Sequence, residues 1–177
     1  MNLPNKLSIL RVCCIPVIVV LLYLNDDACR IAAGVLFILA SLTDLLDGHI
    51  ARKYNLITDF GKFIDPVADK LLVLTTLVML LRNGLMEAWV LILILCRELA
   101  VDGLRMVAVG QGKVIAAGKL GKWKTTFQMI TIVVILLLNK ACFATWYTGI
   151  LTGIAAALTL ISAVDYFVRN KSVFASK

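Results

Sequence analysis

The chain has 177 residues, of which 61% are hydrophobic and 16% charged, and it carries a net charge of +7. Its mean hydropathy is +0.95, whereas a soluble domain is typically about 45–50% apolar and about 25% charged. A chain this short leaves much of its surface exposed and cannot bury so many apolar side chains in one core. These values exclude a soluble enzyme, a disordered protein and a secreted disulfide scaffold, and they predict an integral membrane protein.

Six apolar segments are long enough to cross a bilayer, which takes roughly 20 mostly apolar residues. No small-residue cleavage site follows the first segment, so we expect it to be retained as a helix. The loops between the segments are short, which favours a single polytopic membrane domain over residues 1–177. The predicted spans are at about residues 7–24, 29–47, 61–82, 87–109, 123–140 and 146–168.

The lysines and arginines predict the orientation of these spans, because such residues concentrate on the cytoplasmic side of a membrane protein. With the N-terminus inside, fifteen of the 18 bases fall on the inner side, and the outer side keeps only Arg30, Arg82 and Lys140. We therefore expect six transmembrane helices with both termini cytoplasmic. The basic excess suits loops that face anionic lipid and substrate, so no nucleic-acid partner is expected.

Four aspartates lie at the cytoplasmic ends of the second and third predicted spans. Asp44 and Asp47 are three residues apart, so they share one face of a helix. Asp65 and Asp69 are four residues apart and share a face of the next helix. A short turn between the two helices makes them antiparallel neighbours, and the four carboxylates are expected to converge at one depth. Ionisable groups within a membrane span are costly and mark functional sites.

Four facing carboxylates need a cationic partner, which basic side chains, protons or metal ions can supply. Two divalent cations would balance four negative charges, and all-oxygen ligation suits Mg²⁺ or Mn²⁺. A pair of such ions clamps the attacking and the leaving oxygen in a phosphoryl displacement. The alternative is a proton or ion pathway in a small ion-coupled transporter, although such proteins distribute polar features on both sides of the membrane midplane.

Small and basic residues accompany the carboxylates. Gly48 and Ala51 fall on or beside the acidic face and leave room for a ligand, and Arg52 can bind a phosphate through two hydrogen bonds. Gly61 opens the next helix without a side chain. A proton pathway does not need these residues, so the pattern favours an enzyme that acts on a phosphate-containing substrate.

These positions form the pattern D-x2-D-G-x2-A-R-x8-G-x3-D-x3-D, which is complete here in Asp44, Asp47, Gly48, Ala51, Arg52, Gly61, Asp65 and Asp69. The pattern resembles the signature of the CDP-alcohol phosphotransferase family. Members of that family are six-helix integral membrane enzymes, usually homodimers, that use divalent metal. They displace CMP from a CDP-linked lipid or alcohol with a second alcohol. The resemblance therefore implies the fold of that family and a homodimer.

Further segments resemble one branch of the family, the bacterial phosphatidylglycerophosphate synthases. That branch transfers the phosphatidyl group of CDP-diacylglycerol to sn-glycerol 3-phosphate and releases CMP, in the bacterial inner membrane. Alternatives within the family are a CDP-type cardiolipin synthase and a phosphatidylinositol-phosphate synthase. The matching segments are residues 2–11, residues 65–70, the pair Arg97-Glu98 and residues 121–129.

The resemblance also implies roles for individual residues. Two Mg²⁺ or Mn²⁺ ions are expected to bind Asp44, Asp47, Asp65 and Asp69. Of these, Asp69 is expected to act as the general base that takes the hydroxyl proton. The CDP-lipid is expected to contact Thr43, Gly48, Ala51, Arg52, Gly61 and Arg11. Because the second substrate is itself a phosphate, a further basic pocket is expected, with the candidates Arg105, Lys119, Lys122 and Lys124.

Overall fold

The computed structural model describes residues 3–53, 59–113, 115–116, 118–138 and 146–173. Of these, residues 3–6, 44–53, 59, 60, 62, 63 and 172 are described by their backbone alone. The described chain contains helices and no strand, which confirms the all-α prediction and the number of six long helices. They are α1 (Leu3–Tyr23), α2 (Asp27–Lys53), α3 (Asp59–Arg82), α4 (Ala88–Gly110), α5 (Lys119–Leu138) and α6 (Trp146–Arg169), followed by a 3-10 turn at Lys171–Val173.

The helices are longer than the apolar segments that predicted them wherever a polar sequence continues the helix. α2 runs on to Lys53, beyond the predicted end at about residue 47, and it therefore includes the segment from Asp44 to Arg52. α5 begins at Lys119, ahead of its predicted start at about residue 123. The hydrophobic pattern indicates only the part of a helix whose side chains suit lipid. The backbone hydrogen bonds of the helix continue beyond that part.

Two glycines end helices in the left-handed conformation that suits a residue without a Cβ atom. Gly84 has φ 69° after α3, and Gly112 has φ 71° after α4. In each case the next residue reaches back into the last helical turn, with Leu85 N donating to Leu80 O at 2.9 Å and Lys113 N donating to Ala108 O at 2.9 Å. These bonds satisfy carbonyl groups that the helix end would otherwise leave unpaired.

The contacts divide the chain into two compact units, Met1–Leu85 with Ile132–Phe143 and Met86–Thr131 with Ala144–Lys177. In the first unit, α1 packs extensively against both α2 and α3, whereas contacts between α2 and α3 are few within the described residues. The buried face of α1 is formed by Ser8, Arg11, Ile18 and Leu22. The turn that was predicted to make α2 and α3 antiparallel neighbours lies outside the described residues, so that prediction stays open, and α1 contacts both helices.

Gly34 marks a close approach between α2 and α5 in the first unit. A Cβ atom built at this buried position would lie 2.9 Å from Leu137 Cδ2 and 3.1 Å from Leu136 Cβ. Small residues allow membrane helices to approach closely, because there is little hydrophobic force between helices in lipid and packing must supply the attraction. Gly34 therefore fixes how tightly these two helices pack.

In the second unit, α4 packs against α6. The buried apolar cluster comprises Val101, Leu104 and Ala108 of α4 together with Tyr166 and Val173. The side chain of Gln111 donates a hydrogen bond to the carbonyl of Val173 at 3.0 Å, which ties the end of α4 to the 3-10 turn. The part of α6 before Tyr166 buries small and polar residues instead, among them Thr148, Thr152, Ala155, Ala156, Thr159 and Ser162.

A buried charged cluster joins α4, α5 and α6 within the second unit. Glu98 Oε1 accepts hydrogen bonds from Lys124 Nζ at 2.7 Å and from Arg97 Nη1 at 3.1 Å. Arg97 Nη2 in turn donates to Ser162 Oγ at 2.8 Å. A Cβ atom at Gly121 would lie 3.3 Å from Arg97 Nη2, so glycine leaves the space that the guanidinium occupies. Glu98 thus contacts two bases in a partly buried site, and the Arg97–Glu98 pair, which is one of the segments that carry the family resemblance, is part of this cluster.

Two helices of the described chain, α5 and α6, are long and apolar enough to cross a membrane by length and composition alone. The apolar part of α1, Leu7–Tyr23, is shorter. α4 has a comparable length of 23 residues, but it carries Arg97, Glu98, Asp102 and Arg105. Of these, Arg97 and Glu98 belong to the charged cluster of the second unit.

We expect Gly34→Val to lower the stability of the protein by about 1–3 kcal/mol, because the added atoms overfill the contact with α5. The matched control is Gly103→Val, since a Cβ atom at Gly103 meets nothing within 4 Å. The melting temperatures of the two detergent-solubilised variants test this. Equal melting temperatures would contradict the proposed close approach of α2 and α5.

We expect Glu98→Leu to destabilise the protein by about 3–5 kcal/mol, because removing the shared acid leaves two buried bases without it. Lys124→Met should cost less, since Glu98 keeps its contact with Arg97. The double variant should be more stable than the sum of the two single effects predicts, because the partners are coupled. Unfolding of the four proteins in detergent measures this cycle, and equal costs for the two single variants would speak against Glu98 as the centre of the cluster.

Candidate active site

The described part of the predicted carboxylate cluster lies on α3. Asp65 and Asp69 are one helical turn apart, a rise of about 6 Å along the axis, and both side chains are half-buried. The hydroxyl of Ser8 on α1 donates a hydrogen bond to Oδ1 of Asp65. Two carboxylates on one face of a helix therefore stand beside the N-terminal helix, where the polar residues of α1 are also buried.

The polar residues of α1 are buried more completely than the carboxylates they accompany. Ser8 is 0% exposed and Arg11 is 1% exposed. They are three residues apart, so they lie on the same face of α1. Arg11 was predicted to contact the nucleotide, and the structure places it in the same unit as Asp65 and Asp69. A buried guanidinium in a helix of a membrane protein is the kind of group that marks a functional site.

The other half of the signature lies on α2. Asp44, Asp47, Gly48, Ala51 and Arg52 are all in this helix, which confirms their helical setting, but their side chains lie outside the described residues. The predicted convergence of all four carboxylates therefore stays a prediction.

Two further predicted contacts of the CDP-lipid are described. Thr43 donates its hydroxyl hydrogen to the carbonyl of Ala40 at 2.6 Å, so this hydroxyl is bonded to its own helix. Gly61 is buried in the first turn of α3.

The donor set on α3 suits a divalent cation. Asp65 and Asp69 offer carboxylate oxygens, the ligand type that Mg²⁺ and Mn²⁺ prefer. Among the described residues no group of three or more potential ligands is found. Asp65 and Asp69 are two of the four predicted ligands, and the remaining two, Asp44 and Asp47, belong to the helix whose side chains are not described.

The residues predicted to bind the acceptor phosphate lie in the second unit, in two different environments. Lys119 and Lys122 are exposed in the first turn of α5. Arg105 donates a hydrogen bond from Nε to the Tyr166 hydroxyl at 3.1 Å, and its Cζ lies 5.6 Å from the centre of the Tyr166 ring. Lys124 is 2% exposed and is paired with Glu98. The first two lysines are accessible to a soluble anion, whereas Lys124 is already paired with a half-buried acid.

Two residues that contact predicted site residues were not singled out as functional from the sequence. Ser8 contacts Asp65 in the first unit, and Tyr166 contacts Arg105 in the second. Ser8 belongs to the N-terminal segment that carries part of the family resemblance, and the spacing Ser8-x2-Arg11 puts two polar residues on one face of an apolar helix. That spacing is a usable signal. Tyr166 gives no such signal, because a tyrosine in an apolar helix is equally suited to lipid and to packing.

A comparison with models of protein families indicates the same family as the aspartate signature. Residues 1–161 match the model of the CDP-alcohol phosphatidyltransferase family. The matched range covers both halves of the aspartate signature, the Ser8 and Arg11 pair of α1 and all four predicted acceptor residues.

Curated relatives match over nearly the whole chain. A CDP-diacylglycerol–glycerol-3-phosphate 3-phosphatidyltransferase of Bacillus subtilis is 40% identical, with 96% of this chain and 95% of the relative covered. A protein of the same name from Rickettsia typhi is 42% identical over 98% of this chain and 99% of its own length. A probable phosphatidylglycerophosphate synthase of Mycobacterium tuberculosis is 38% identical, covering 95% of this chain and 81% of that protein. With the signature, the helical fold and these matches in agreement, the chain belongs to the CDP-alcohol phosphatidyltransferase family.

Proposed function

We propose that this protein transfers the phosphatidyl group of CDP-diacylglycerol to sn-glycerol 3-phosphate, which yields phosphatidylglycerophosphate and CMP. The observation that carries the proposal is the similarity to relatives named for this reaction, which are about 40% identical over nearly the full length of both chains. The aspartates of α3, one turn apart, supply carboxylates of the kind that such a transfer needs, and Asp65 accepts a hydrogen bond from Ser8 of α1. The protein would act in phospholipid biosynthesis.

The reaction forms one P–O bond and breaks another. A hydroxyl oxygen of the acceptor attacks the phosphorus atom that carries diacylglycerol, and the bond from that phosphorus to the bridging oxygen of the diphosphate breaks. CMP leaves with the bridging oxygen. We assign Asp69 the role of the general base that takes the hydroxyl proton, because a carboxylate must lie within hydrogen-bond reach of the hydroxyl for this step. Asp69 is half-buried on α3, so a substrate oxygen can approach it.

We propose that Asp44, Asp47, Asp65 and Asp69 hold Mg²⁺ or Mn²⁺, with two ions in each site. Carboxylate oxygens fit these cations, and the two described members of the set lie one turn apart on α3. Bound divalent ions neutralise the charge of a diphosphate and orient it for in-line displacement. Asp69 must then be the least committed ligand, because a carboxylate bound tightly to a cation is a weak base.

The two substrates call for separate contacts. We assign the CDP-lipid to Thr43, Gly48, Ala51, Arg52, Gly61 and Arg11, on the strength of the signature and of the burial of Arg11 beside α3. We assign the phosphate of the acceptor to basic residues of α4 and α5. Arg105, Lys119 and Lys122 are preferred over Lys124, since the ammonium group of Lys124 is paired with Glu98 at 2.7 Å.

We propose that all six helices cross the bacterial inner membrane, with both termini and the active site at the cytoplasmic face. The apolar character of α5 and α6 and the excess of bases on one side of the predicted spans support this orientation. The polar acceptor, sn-glycerol 3-phosphate, then meets the lipid substrate at the inner surface. A homodimer, the usual state in this family, completes the proposal.

Purified protein supplied with CDP-diacylglycerol and Mg²⁺ or Mn²⁺ should release CMP with glycerol 3-phosphate as the acceptor. We expect no release with phosphatidylglycerol or with inositol phosphate, the acceptors of a cardiolipin synthase and a phosphatidylinositol-phosphate synthase. Release with either of these and not with glycerol 3-phosphate would reassign the chain to another branch of the family. Transport of ions into proteoliposomes without any CMP release would instead point to a carrier.

Asp69→Asn should lower the rate of CMP release by at least about 100-fold, which is the lower end of what a general base contributes. The amide keeps the shape of the side chain but cannot accept the proton. Asp27→Asn is the matched control. It makes the same chemical change at an exposed position of α2, where Asp27 pairs with Arg30. CMP release near the wild-type rate in folded, membrane-inserted Asp69→Asn protein would rule out Asp69 as the base.

A further inference from the structure

A hydroxyl of α1 reaches a carboxylate of α3 across the first unit. Ser8 lies 57 residues before Asp65 in the chain, and its Oγ donates a hydrogen bond to Asp65 Oδ1. We propose that Ser8 is a positioning residue, which holds the Asp65 carboxylate in the orientation that a divalent cation requires. This inference deepens the proposed function and rests on it, since it assumes that Asp65 is a metal ligand.

The direction of the Ser8 hydroxyl distinguishes it from the other buried hydroxyls of the first unit. Serine and threonine inside a helix commonly donate to a carbonyl of their own helix. Ser41 does so to Phe37 at 2.9 Å, and Thr76 does so to Leu72 at 2.8 Å. Ser8 is as inaccessible to solvent as Thr76, each being 0% exposed, and its hydroxyl donates to an acid of a different helix.

The bond to Ser8 uses Oδ1 of the Asp65 carboxylate, and the side chain is half-buried. The aspartate side chain has only two torsion angles, so a hydrogen bond that holds Oδ1 in place also restricts the direction of Oδ2. Groups that hydrogen-bond to metal ligands orient them, and their removal typically weakens metal affinity by about 10–100-fold. Ser8 thus acts through Asp65 and contacts no substrate itself.

The packing of α1 against its neighbours explains why this helix supplies the hydroxyl group that contacts Asp65. α1 is the helix that packs against both α2 and α3, the two helices that carry the aspartate signature. Ser8 lies on the buried face of α1 and is within hydrogen-bond distance of Asp65. A donor from α1 can orient a ligand of α3 without occupying space on α3 itself.

The test compares Ser8→Ala, Ser8→Thr and Thr76→Val in the full-length, detergent-purified protein. The probe is Mn²⁺ alone, and its binding is measured by electron paramagnetic resonance in the absence of both substrates. We expect Ser8→Ala to weaken Mn²⁺ binding about tenfold. Ser8→Thr should restore it, because threonine keeps the donor. Thr76→Val removes an equally buried hydroxyl from the helix that carries Asp65 and should bind Mn²⁺ like the wild type.

Two further measurements separate a positioning role from a structural one. The melting temperatures of Ser8→Ala and Thr76→Val without metal should be similar, since each loses one buried hydroxyl. In CMP release, Ser8→Ala should need about tenfold more Mn²⁺ for half-maximal rate, with the Michaelis constant for glycerol 3-phosphate unchanged. Mn²⁺ binding by Ser8→Ala equal to that of the wild type would overturn the inference, and so would a wild type that does not bind Mn²⁺. Failure of the wild type to use glycerol 3-phosphate, with Mn²⁺ binding still sensitive to Ser8, would contradict only the proposed acceptor.

Discussion

The energetic cost of a charged side chain in apolar surroundings governs this structure. An ion moved from water into an apolar interior loses solvation that is regained only through close partners of opposite charge or through hydrogen bonds. A chain that is 61% hydrophobic and still keeps 16% charged residues must therefore place those residues in clusters or at helix ends. Both units do so, and each cluster joins more than one helix.

The two clusters differ in what their charges do. Asp65 and Asp69 of α3 present two acids one helical turn apart, and carboxylate oxygens are the ligands that suit a divalent cation. Around Glu98, one carboxylate accepts from both Arg97 and Lys124, at 3.1 Å and 2.7 Å, and these bonds tie α4 to α5. The first arrangement suits the binding of a cation, whereas the second holds helices together.

Much of the fold could be predicted from the sequence, because the six helices coincide with six apolar segments. The aspartate signature could be found as well, since it depends on spacing along single helices. Contacts between helices could not be predicted. Nothing in the spacing links Ser8 to Asp65, and Lys124 was expected to meet a phosphate, although it pairs with an acid 26 residues away. Such contacts depend on which helices are neighbours, and hydropathy does not encode that.

The position of α1 also has a consequence for how the protein is made. A membrane protein enters the bilayer from its N-terminus, so α1 arrives first, with Ser8 and Arg11 on a face that is buried in the finished fold. Asp65, which accepts the Ser8 hydrogen bond, is synthesised 57 residues later. Until α3 has been made, the Ser8 hydroxyl lacks the carboxylate to which it donates in the finished fold. Packing of the first unit is therefore coupled to completion of the first three helices.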